Sequence, residues 1–487
     1  MNYNKIKNLG QLRKSGYKNR SIKDELRENL IENLKNNNNV FKGIHGYENS
    51  VIPQIERAIL SRHNINLLGL RGQAKTKIAR LMINLLDEYI PYIKGSEIYD
   101  DPFNPISNFA LNLLENKKEE TPISWLHRSE RFAEKLATPD VTVADLIGDI
   151  DPIKAANLKL SYSDQEVIHY GMIPRANRCI FVINELPDLQ ARIQVSLFNI
   201  LQEGDIQIRG FKVRFPLDML FLFTANPEDY TNRGSIVTPL KDRIGSQILT
   251  HYPKDIEIAK KITFQEVNTA LEQKENIHVP ELAKDLLEQI SFEARESEYI
   301  DEKSGVSARL SITALENLYS SAEQRLLKTN DASTSLRMSD FLAIIPSITG
   351  KVELVYEGEQ EGADFVANEL IANAVKTIFN TNFPKIGKLE KKDEKTDYDD
   401  IIAWFFEESK FELLNDLSQD EYKTKLDSIL PLKLLINKHH PEMNKKDIYF
   451  VKEFILWALA YFKKLSKADY IDGFEIKDPY SNYISNI

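Results

Sequence analysis

The sequence predicts an α/β fold with a parallel sheet, followed by an all-helical domain and a mostly helical C-terminal extension. Three observations predict it. A short apolar strand at residues 66–68 runs into a glycine-containing loop at 69–76 and then a helix. Two more apolar runs, at 179–183 and 219–225, each end in polar residues. Strands buried on both faces of a parallel sheet have such continuous apolar runs, and helical periodicity prevails after residue 255.

Length and composition describe an ordinary globular protein. The 487 residues suffice for about two to four domains, and 42% of them are hydrophobic and 28% charged. The net charge of −10 argues against nucleic acid as the main partner. The apolar run at 454–461 is far too short to span a membrane, and the polar start carries no secretory signal. We therefore expect a cytoplasmic protein that binds no membrane.

Composition and periodicity divide the chain into four predicted parts. They are an N-terminal helical segment (1–39), an α/β domain (40–253), an all-helical domain (254–349) and a mostly helical C-terminal extension (350–487). In the first part, Ser21 is placed to cap a helix, and the asparagine run at 36–39 reads as a linker.

The loop after the first strand is nearly a phosphate-binding motif. Residues 69–76 read Gly-Leu-Arg-Gly-Gln-Ala-Lys-Thr, and Ala74 stands where the pattern has its second glycine. In such a loop backbone amides surround a polyphosphate and the lysine, here Lys75, reaches the outer phosphates. The hydroxyl of Thr76 is then placed to ligate Mg²⁺. Taken alone, an ordinary turn that carries Lys-Thr is the alternative.

Polar residues follow both later strands. Asn184 and Glu185 end the run at 179–183, and Asn226 ends the run at 219–225. The carboxyl ends of parallel strands meet at the edge where ligands of open α/β folds bind. A strand that simply meets solvent is the alternative for each.

Other stretches carry local predictions. We expect a short helix at 125–136, a hairpin or loop insertion at 158–169, a basic hairpin at 206–215, and helices at 401–417 and 447–465. The last helix is apolar on most of its faces and should be buried.

With these residues in view, 40–343 resemble the AAA+ ATPases of the magnesium-chelatase subunit I and MoxR branch. Asn184-Glu185 occupies the place of the family's Asp-Glu, and Arg309 that of its sensor 2 arginine. The other motifs follow in family order: Gly148-Asp149-Ile150-Asp151, residues 171–178, Asn226-Pro227-Glu228, and Pro239-Leu240-Lys241-Asp242-Arg243.

The resemblance implies ATP hydrolysis with Mg²⁺ at the joint between subunits of a ring, a hexamer by expectation. Thr76, and Asn184 through water, are the candidate Mg²⁺ residues. The candidate nucleotide-binding residues are Gly46, Tyr47, Gly69, Gly72, Gln73, Ala74, Lys75, Thr76 and Lys77.

It also implies the catalytic roles. Glu185 would polarise the attacking water, and Asn226 would position that water and sense the γ-phosphate. Arg243 would be the arginine finger for the neighbouring subunit, while Arg309 would reach the phosphate from the chain's own lid.

Two departures from the family pattern predict slow but real turnover. Ala74 adds a β-carbon where the loop bends into its helix. Asn184 replaces a charged ligand of the Mg²⁺ shell with an amide. The same departures support an alternative, a nucleotide-gated scaffold that hydrolyses little.

The implied task is the remodelling or activation of a protein client. Such motors often act through a von Willebrand factor A domain, and the sequence carries no evident Asp-x-Ser-x-Ser metal motif of that domain. A partner with that domain, or another protein client, would be a separate chain. A ring of the transcription-activator or helicase type is a further alternative.

Overall fold

The computed structural model describes residues 5–159, 165–208, 214–227, 235–386, 396–407, 411–470 and 473–477. The chain folds as two units, Met1–His251 and Tyr252–Ile487, each with hydrophobic core clusters of its own. Within the described ranges no helix has the length and apolar character that crossing a membrane requires.

Short helices and strands alternate through the first unit. Its helices are α1 (Leu9–Lys14), α2 (Ile22–Lys35), α3 (Val51–Leu60), α4 (Lys75–Leu81), α5 (Asn108–Lys117), α6 (Val143–Leu146), α7 (Pro152–Leu158), α8 (Met172–Arg175), α9 (Ala191–Ser196), α10 (Phe198–Glu203) and α11 (Thr238–Arg243). Its strands are β1 (Ile65–Leu68), β2 (Tyr89–Ile93), β3 (Ile123–His127), β4 (Phe132–Leu136), β5 (Gly148–Ile150), β6 (Ile168–Tyr170), β7 (Ile180–Asn184), β8 (Asp205–Gln207), β9 (Arg214–Pro216), β10 (Leu220–Ala225) and β11 (Ser246–Leu249).

A five-stranded sheet organises this unit. Its order is β11-β1-β10-β7-β4, and every neighbouring pair is parallel. All residues of β7 and β10 are buried, which explains their continuous apolar sequences. The predicted parallel α/β fold is confirmed. Because the strands are parallel, their carboxyl ends lie at one edge of the sheet.

The helix predicted at 125–136 is wrong. This stretch forms β3, which pairs antiparallel with β2, and β4, which pairs parallel with β7. Glu134, Lys135 and Leu136 are good helix formers when isolated. Here the backbone of β4 instead completes the edge of the sheet beside β7, so pairing between distant segments overrides local propensity.

The N-terminal segment packs onto the sheet. The Ser21 side chain caps α2 by accepting from the amide of Asp24 at 3.1 Å, as predicted. Leu26 and Leu30 of α2 lie in the same core cluster as residues of α3 and β1. Glu25, also on α2, makes a bidentate ion pair with Arg131. Both N–O distances are 2.7 Å, and both side chains are buried.

Two pairs of short antiparallel strands lie in the connections of the sheet. β5 pairs antiparallel with β6, and α7 lies between them in the chain. The hairpin or loop insertion predicted at 158–169 begins where α7 ends and reaches into β6, whose strand partner β5 comes before that stretch. β8 pairs antiparallel with β9, with Ile206 opposite Phe215, where a hairpin is predicted. Residues 160–164 and 209–213, which include the basic Arg209 and Lys212, lie outside the described residues.

The second unit is mostly helical. Its helices are α12 (Ile256–Glu266), α13 (Leu271–Asn276), α14 (Glu281–Glu296), α15 (Arg309–Thr329), α16 (Ile345–Thr349), α17 (Tyr356–Glu361), α18 (Ala363–Asn382), α19 (Asp399–Glu407), α20 (Gln419–Ser428), α21 (Leu430–His439) and α22 (Ile448–Tyr461). Its strands are β12 (Ile277–His278), β13 (Thr334–Ser335), β14 (Phe411–Leu414), β15 (Ser466–Tyr470) and β16 (Gly473–Lys477). α22 is buried over most of its surface, as its sequence predicts.

One C-terminal prediction needs correction. The helix expected at 401–417 ends at Glu407, and Phe411–Leu414 forms β14 of a three-stranded antiparallel sheet, β14-β16-β15. Phe411 and Leu413 are buried while Leu414 is exposed, which is the two-residue alternation of a half-buried strand. The extension therefore contains a small sheet among its helices.

Candidate functional site

The loop at 69–76 joins the buried strand β1 to α4. Gly72 has φ 72°, a left-handed conformation that glycine adopts without steric cost. The Nζ atom of Lys75, the first residue of α4, donates to the carbonyl oxygens of Gly69 and Leu70, the latter at 2.9 Å. The lysine ammonium group therefore lies against the first residues of its own loop, where it could contact an anion bound by the loop.

Close packing beneath the loop explains why residue 69 is glycine. Gln73 Oε1 accepts from Thr250 Oγ1 at 2.6 Å, and both atoms crowd the space beside Gly69. A β-carbon at Gly69 would approach them to 2.2 and 2.0 Å. The Gln73 side chain is buried in this contact, so only the backbone of Gln73 is left to face a ligand.

Tyr47 supports the loop from the other side. Its hydroxyl lies 2.7 Å from the carbonyl oxygen of His251 and 3.1 Å from that of Gln73. Its buried ring makes an edge contact with the His251 ring. Gly46, the preceding residue, has φ 80° and forms the turn that directs Tyr47 inward. The structure thus places Tyr47 against the loop backbone, and its predicted nucleotide contact stays a prediction.

Ala74 adopts the left-handed backbone region, with φ 57° and ψ 15°. An L-residue with a β-carbon costs about 1–2 kcal/mol in this region. The glycine that the motif expects there would avoid that cost. The departure noted in the sequence is therefore a site of backbone strain.

Replacing Ala74 with glycine is expected to stabilise the first unit. Relief of about 1–2 kcal/mol of strain is partly offset by the larger freedom of glycine in the unfolded chain, about 0.4–1 kcal/mol. Urea unfolding should therefore show a gain of a few tenths to about 1 kcal/mol in the free energy of unfolding. The control, Ala79→Gly within α4, should lose about 1 kcal/mol. A loss of stability in Ala74→Gly would contradict the strain.

Three neighbouring parallel strands end at the edge of the sheet where the loop begins. Leu68 of β1 lies opposite Ala225 of β10, and the Gly69 amide donates to the Ala225 carbonyl at 3.1 Å. Asn226, which follows β10, is therefore next to the start of the loop, and it is buried. β7 flanks β10 on the other side and ends in Asn184.

Glu185 directly follows β7 in an uncommon backbone conformation. Its φ of 56° and ψ of 48° are left-handed, and its side chain is exposed. The Glu185 amide donates to Thr224 Oγ1 at 3.1 Å, and that hydroxyl donates to Asn184 Oδ1, also at 3.1 Å. Strained, well-anchored residues of this kind cluster at functional sites.

The sequence reasoning missed Glu134. This residue of β4 accepts a hydrogen bond from Asn184 Nδ2 at its Oε1 atom, 2.6 Å away. Its Oε2 atom lies 3.0 Å from Nη2 of Arg80, on α4. No motif marks Glu134, and the stretch around it has the local composition of a helix. Only the pairing of β4 with β7 brings its carboxylate to Asn184.

The two candidate arginines lie in different units. Arg243 ends α11, where its Nε atom donates to Gln202 Oε1 at 3.0 Å and its guanidinium lies 5.1 Å from the centre of the Phe198 ring. Arg309 begins α15 of the second unit and is exposed. The predicted roles of both arginines stay predictions.

The donor set fits Mg²⁺ bound together with a nucleotide. Mg²⁺ takes few protein ligands beside phosphates and water, and it prefers oxygen donors. Thr76 offers a hydroxyl, Asn184 an amide oxygen and Glu134 a nearby carboxylate. Among the described residues, no group of three or more His, Cys, Asp or Glu side chains forms a site that could hold a metal without phosphate ligands.

Part of the first unit matches a known protein family. Residues 124–244 match the AAA domain of the dynein-related subfamily. The match contains Glu185, Asn226 and Arg243, and the loop at 69–76 precedes it. The predicted resemblance to AAA+ ATPases is thereby confirmed.

Several solved structures are similar. One is a Cytophaga hutchinsonii ATCC 33406 protein assigned as an ATPase, with 18% identity, TM-score 0.28, and coverage of 72% of this chain and 95% of that one. Another is a complex of the BchI and BchD subunits of magnesium chelatase, with 18% identity, TM-score 0.35, and coverage of 66% and 98%. A third is NtrX from Brucella abortus with ADP, with 13% identity, TM-score 0.37, and coverage of 76% and 66%.

Proposed function

We propose that this chain is an ATPase of the magnesium-chelatase and MoxR type, because residues 124–244 match an AAA domain. It binds ATP with Mg²⁺, hydrolyses it slowly in an oligomeric ring, and uses the cycle to remodel or activate a protein client. One observation carries the proposal: the phosphate loop, Asn184-Glu185 and Asn226 follow adjacent parallel strands at one edge of the sheet.

Lys75 and the loop backbone hold the phosphates in this proposal. The lysine ammonium group already donates to loop carbonyl oxygens. It can exchange these acceptors for phosphate oxygens, which bind it more strongly because they are charged. Gly72 and the amides up to Thr76 offer donors to the same group. Thr76, and Asn184 through water, would hold Mg²⁺, whose charge would neutralise that of the phosphates during the reaction.

Glu185 and Asn226 act on the attacking water. The exposed Glu185 carboxylate polarises the water or accepts a proton from it. The hydrogen-bonded backbone of Glu185 helps to keep the carboxylate in place. Asn226, fixed beside Gly69 at the end of β10, orients the water toward the γ-phosphate. Both roles need a group held in place before the nucleotide binds.

The ring completes the site. We propose that Arg243 serves the nucleotide of a neighbouring copy, because its guanidinium is held at the surface by Gln202 and Phe198 rather than buried. Arg309, exposed at the start of α15, serves as the lid arginine. A hexamer, and a separate client or partner protein with a von Willebrand factor A domain, belong to the same proposal.

The Lys75→Ala variant tests nucleotide binding. Loss of a charged hydrogen-bond donor, about 1.5–3 kcal/mol, should weaken ATP binding about 10- to 100-fold. A fluorescent ATP analogue titrated in Mg²⁺ buffer measures the dissociation constant, and phosphate release measures turnover. Lys117→Ala, at an exposed lysine of α5, is the matched control and should bind like the wild type. Equal affinity in both variants would refute the proposed loop function.

A nucleotide-gated scaffold is the second candidate. The strained Ala74 and the uncharged Asn184 favour it, since both reduce the fit to a fast hydrolase. Analytical ultracentrifugation with ATP, combined with phosphate release, separates the two. Ring formation without phosphate release above the Lys75→Ala background would favour the scaffold.

A further inference from the structure

A carboxylate stands beside Asn184, but on the neighbouring strand. Residue 184, where the resemblance places an aspartate, is an amide in this chain. The Glu134 carboxylate of β4 lies 2.6 Å from Asn184 Nδ2. The two neighbouring strands therefore hold one amide and one carboxylate, with the charge in the middle of β4 instead of at the end of β7.

Hydrogen bonding fixes the orientation of the Asn184 amide. An ionised carboxylate only accepts hydrogen bonds, so the Asn184 amide nitrogen must face Glu134. The amide oxygen then faces Thr224, whose hydroxyl donates to it at 3.1 Å. That hydroxyl also accepts from the Glu185 amide. A continuous chain of hydrogen bonds thus links Glu134 to the backbone of the proposed catalytic residue.

We propose that Glu134 is a positioning residue of the nucleotide site, supplying from β4 the negative charge that Asn184 lacks. It holds the amide oxygen of Asn184 as an acceptor and acts as an outer-shell charge for Mg²⁺. Outer-shell partners of this kind orient metal ligands and raise metal affinity. The inference rests on the proposed function, because it concerns Mg²⁺ bound with nucleotide.

Arg80 distinguishes a structural role of Glu134 from a role through its charge. Its guanidinium lies 3.0 and 3.2 Å from Glu134 Oε2, and its side chain is 63% exposed. If Glu134 were only a structural tether between β4 and α4, loss of Arg80 and loss of Glu134 would have the same effect. If Glu134 acts through its charge, loss of Arg80 removes a cation that repels Mg²⁺, and Mg²⁺ binding should not weaken.

Asn184→Asp, the variant that restores the family residue, should be harmful here. An aspartate would place a second carboxylate at hydrogen-bond distance from Glu134, with no donor between them, and like charges so placed repel. Combining it with Glu134→Gln rebuilds the bond with donor and acceptor exchanged. The amide then lies on β4 and the carboxylate on β7.

The experiment compares nucleotide affinity with and without the metal. A fluorescent ADP analogue is titrated against the full chain in EDTA and in Mg²⁺ buffer. The dissociation constant in EDTA divided by that in Mg²⁺ buffer gives the factor by which Mg²⁺ strengthens binding, and this factor is the ratio that we compare. Glu134→Gln and Asn184→Asp should each lower this ratio about tenfold, while the double variant should return to within about twofold of the wild type. Arg80→Gln should not lower it. Affinity in EDTA should stay near the wild-type value in every variant.

Each other outcome has a definite meaning. The inference is overturned if Asn184→Asp alone raises the ratio, if the double variant is no better than the single ones, or if Arg80→Gln lowers the ratio as Glu134→Gln does. A wild type that binds no nucleotide in either buffer overturns the proposed function instead. If Asn184→Asp does not fold, recovery of folding in the double variant supports the pair, and continued misfolding overturns it.

Discussion

The Glu185→Gln variant is expected to bind ATP as the wild type does and to release phosphate about 10²- to 10⁴-fold more slowly. Glutamine keeps the size of the side chain and the left-handed backbone anchored to Thr224. It removes the carboxylate that accepts the proton of water. Binding and hydrolysis should therefore separate in this one variant, which they do not in Lys75→Ala.

Phosphate release under saturating Mg-ATP measures the rate, and analogue titration measures binding. Glu203→Gln, at an exposed glutamate that ends α10, is the control and should retain wild-type values for both. Unchanged phosphate release in Glu185→Gln would assign the water to another residue. Loss of binding together with rate would show that Glu185 supports the loop rather than the chemistry.

The largest expected loss of stability follows from breaking the ion pair between Glu25 and Arg131. Arg131→Met leaves the Glu25 carboxylate buried without its partner, which costs about 3–5 kcal/mol. The arginine also donates from Nε to the Arg178 carbonyl at 3.0 Å, so two distant segments lose an anchor. We expect the unfolding transition of the first unit to fall by about 6–20 °C.

Two controls interpret that loss. Arg13→Met breaks an ion pair with Glu119 in which both side chains are 55% exposed, and it should cost at most about 1 kcal/mol. The double variant Glu25→Leu/Arg131→Met removes both buried charges and should be more stable than Arg131→Met alone. Differential scanning calorimetry measures all three. Equal losses in Arg13→Met and Arg131→Met would contradict a cost that arises from burial.

The sequence was sufficient for the parts of the site that depend on local patterns. β7 and β10 are buried on both faces, so their apolar runs and polar ends mark them without knowledge of their neighbours. The order Gly-rich loop, Lys75 and helix is likewise local, and the structure has it as predicted.

Features that depend on pairing between distant segments escaped prediction. β4 is an edge strand with half-buried and exposed residues, so it carries no apolar run, and its composition favours a helix. Glu134 becomes a neighbour of Asn184 only through the pairing of β4 with β7. Gln73 was assigned from its place in the loop, but the Thr250 contact that buries its side chain comes from the far end of the unit. β14 was missed because its partner β16 follows it by some sixty residues.

The contacts of Gln73 and Tyr47 also define a mechanical linkage. Thr250 and His251, the last two residues of the first unit, bond to the side chain of Gln73 and to the hydroxyl of Tyr47. The chain thus leaves this unit from a point that is fastened to the loop. Residues 250 and 251 therefore share hydrogen bonds with the loop, and a change in the position of Gln73 on phosphate binding would alter those bonds at the end of this unit.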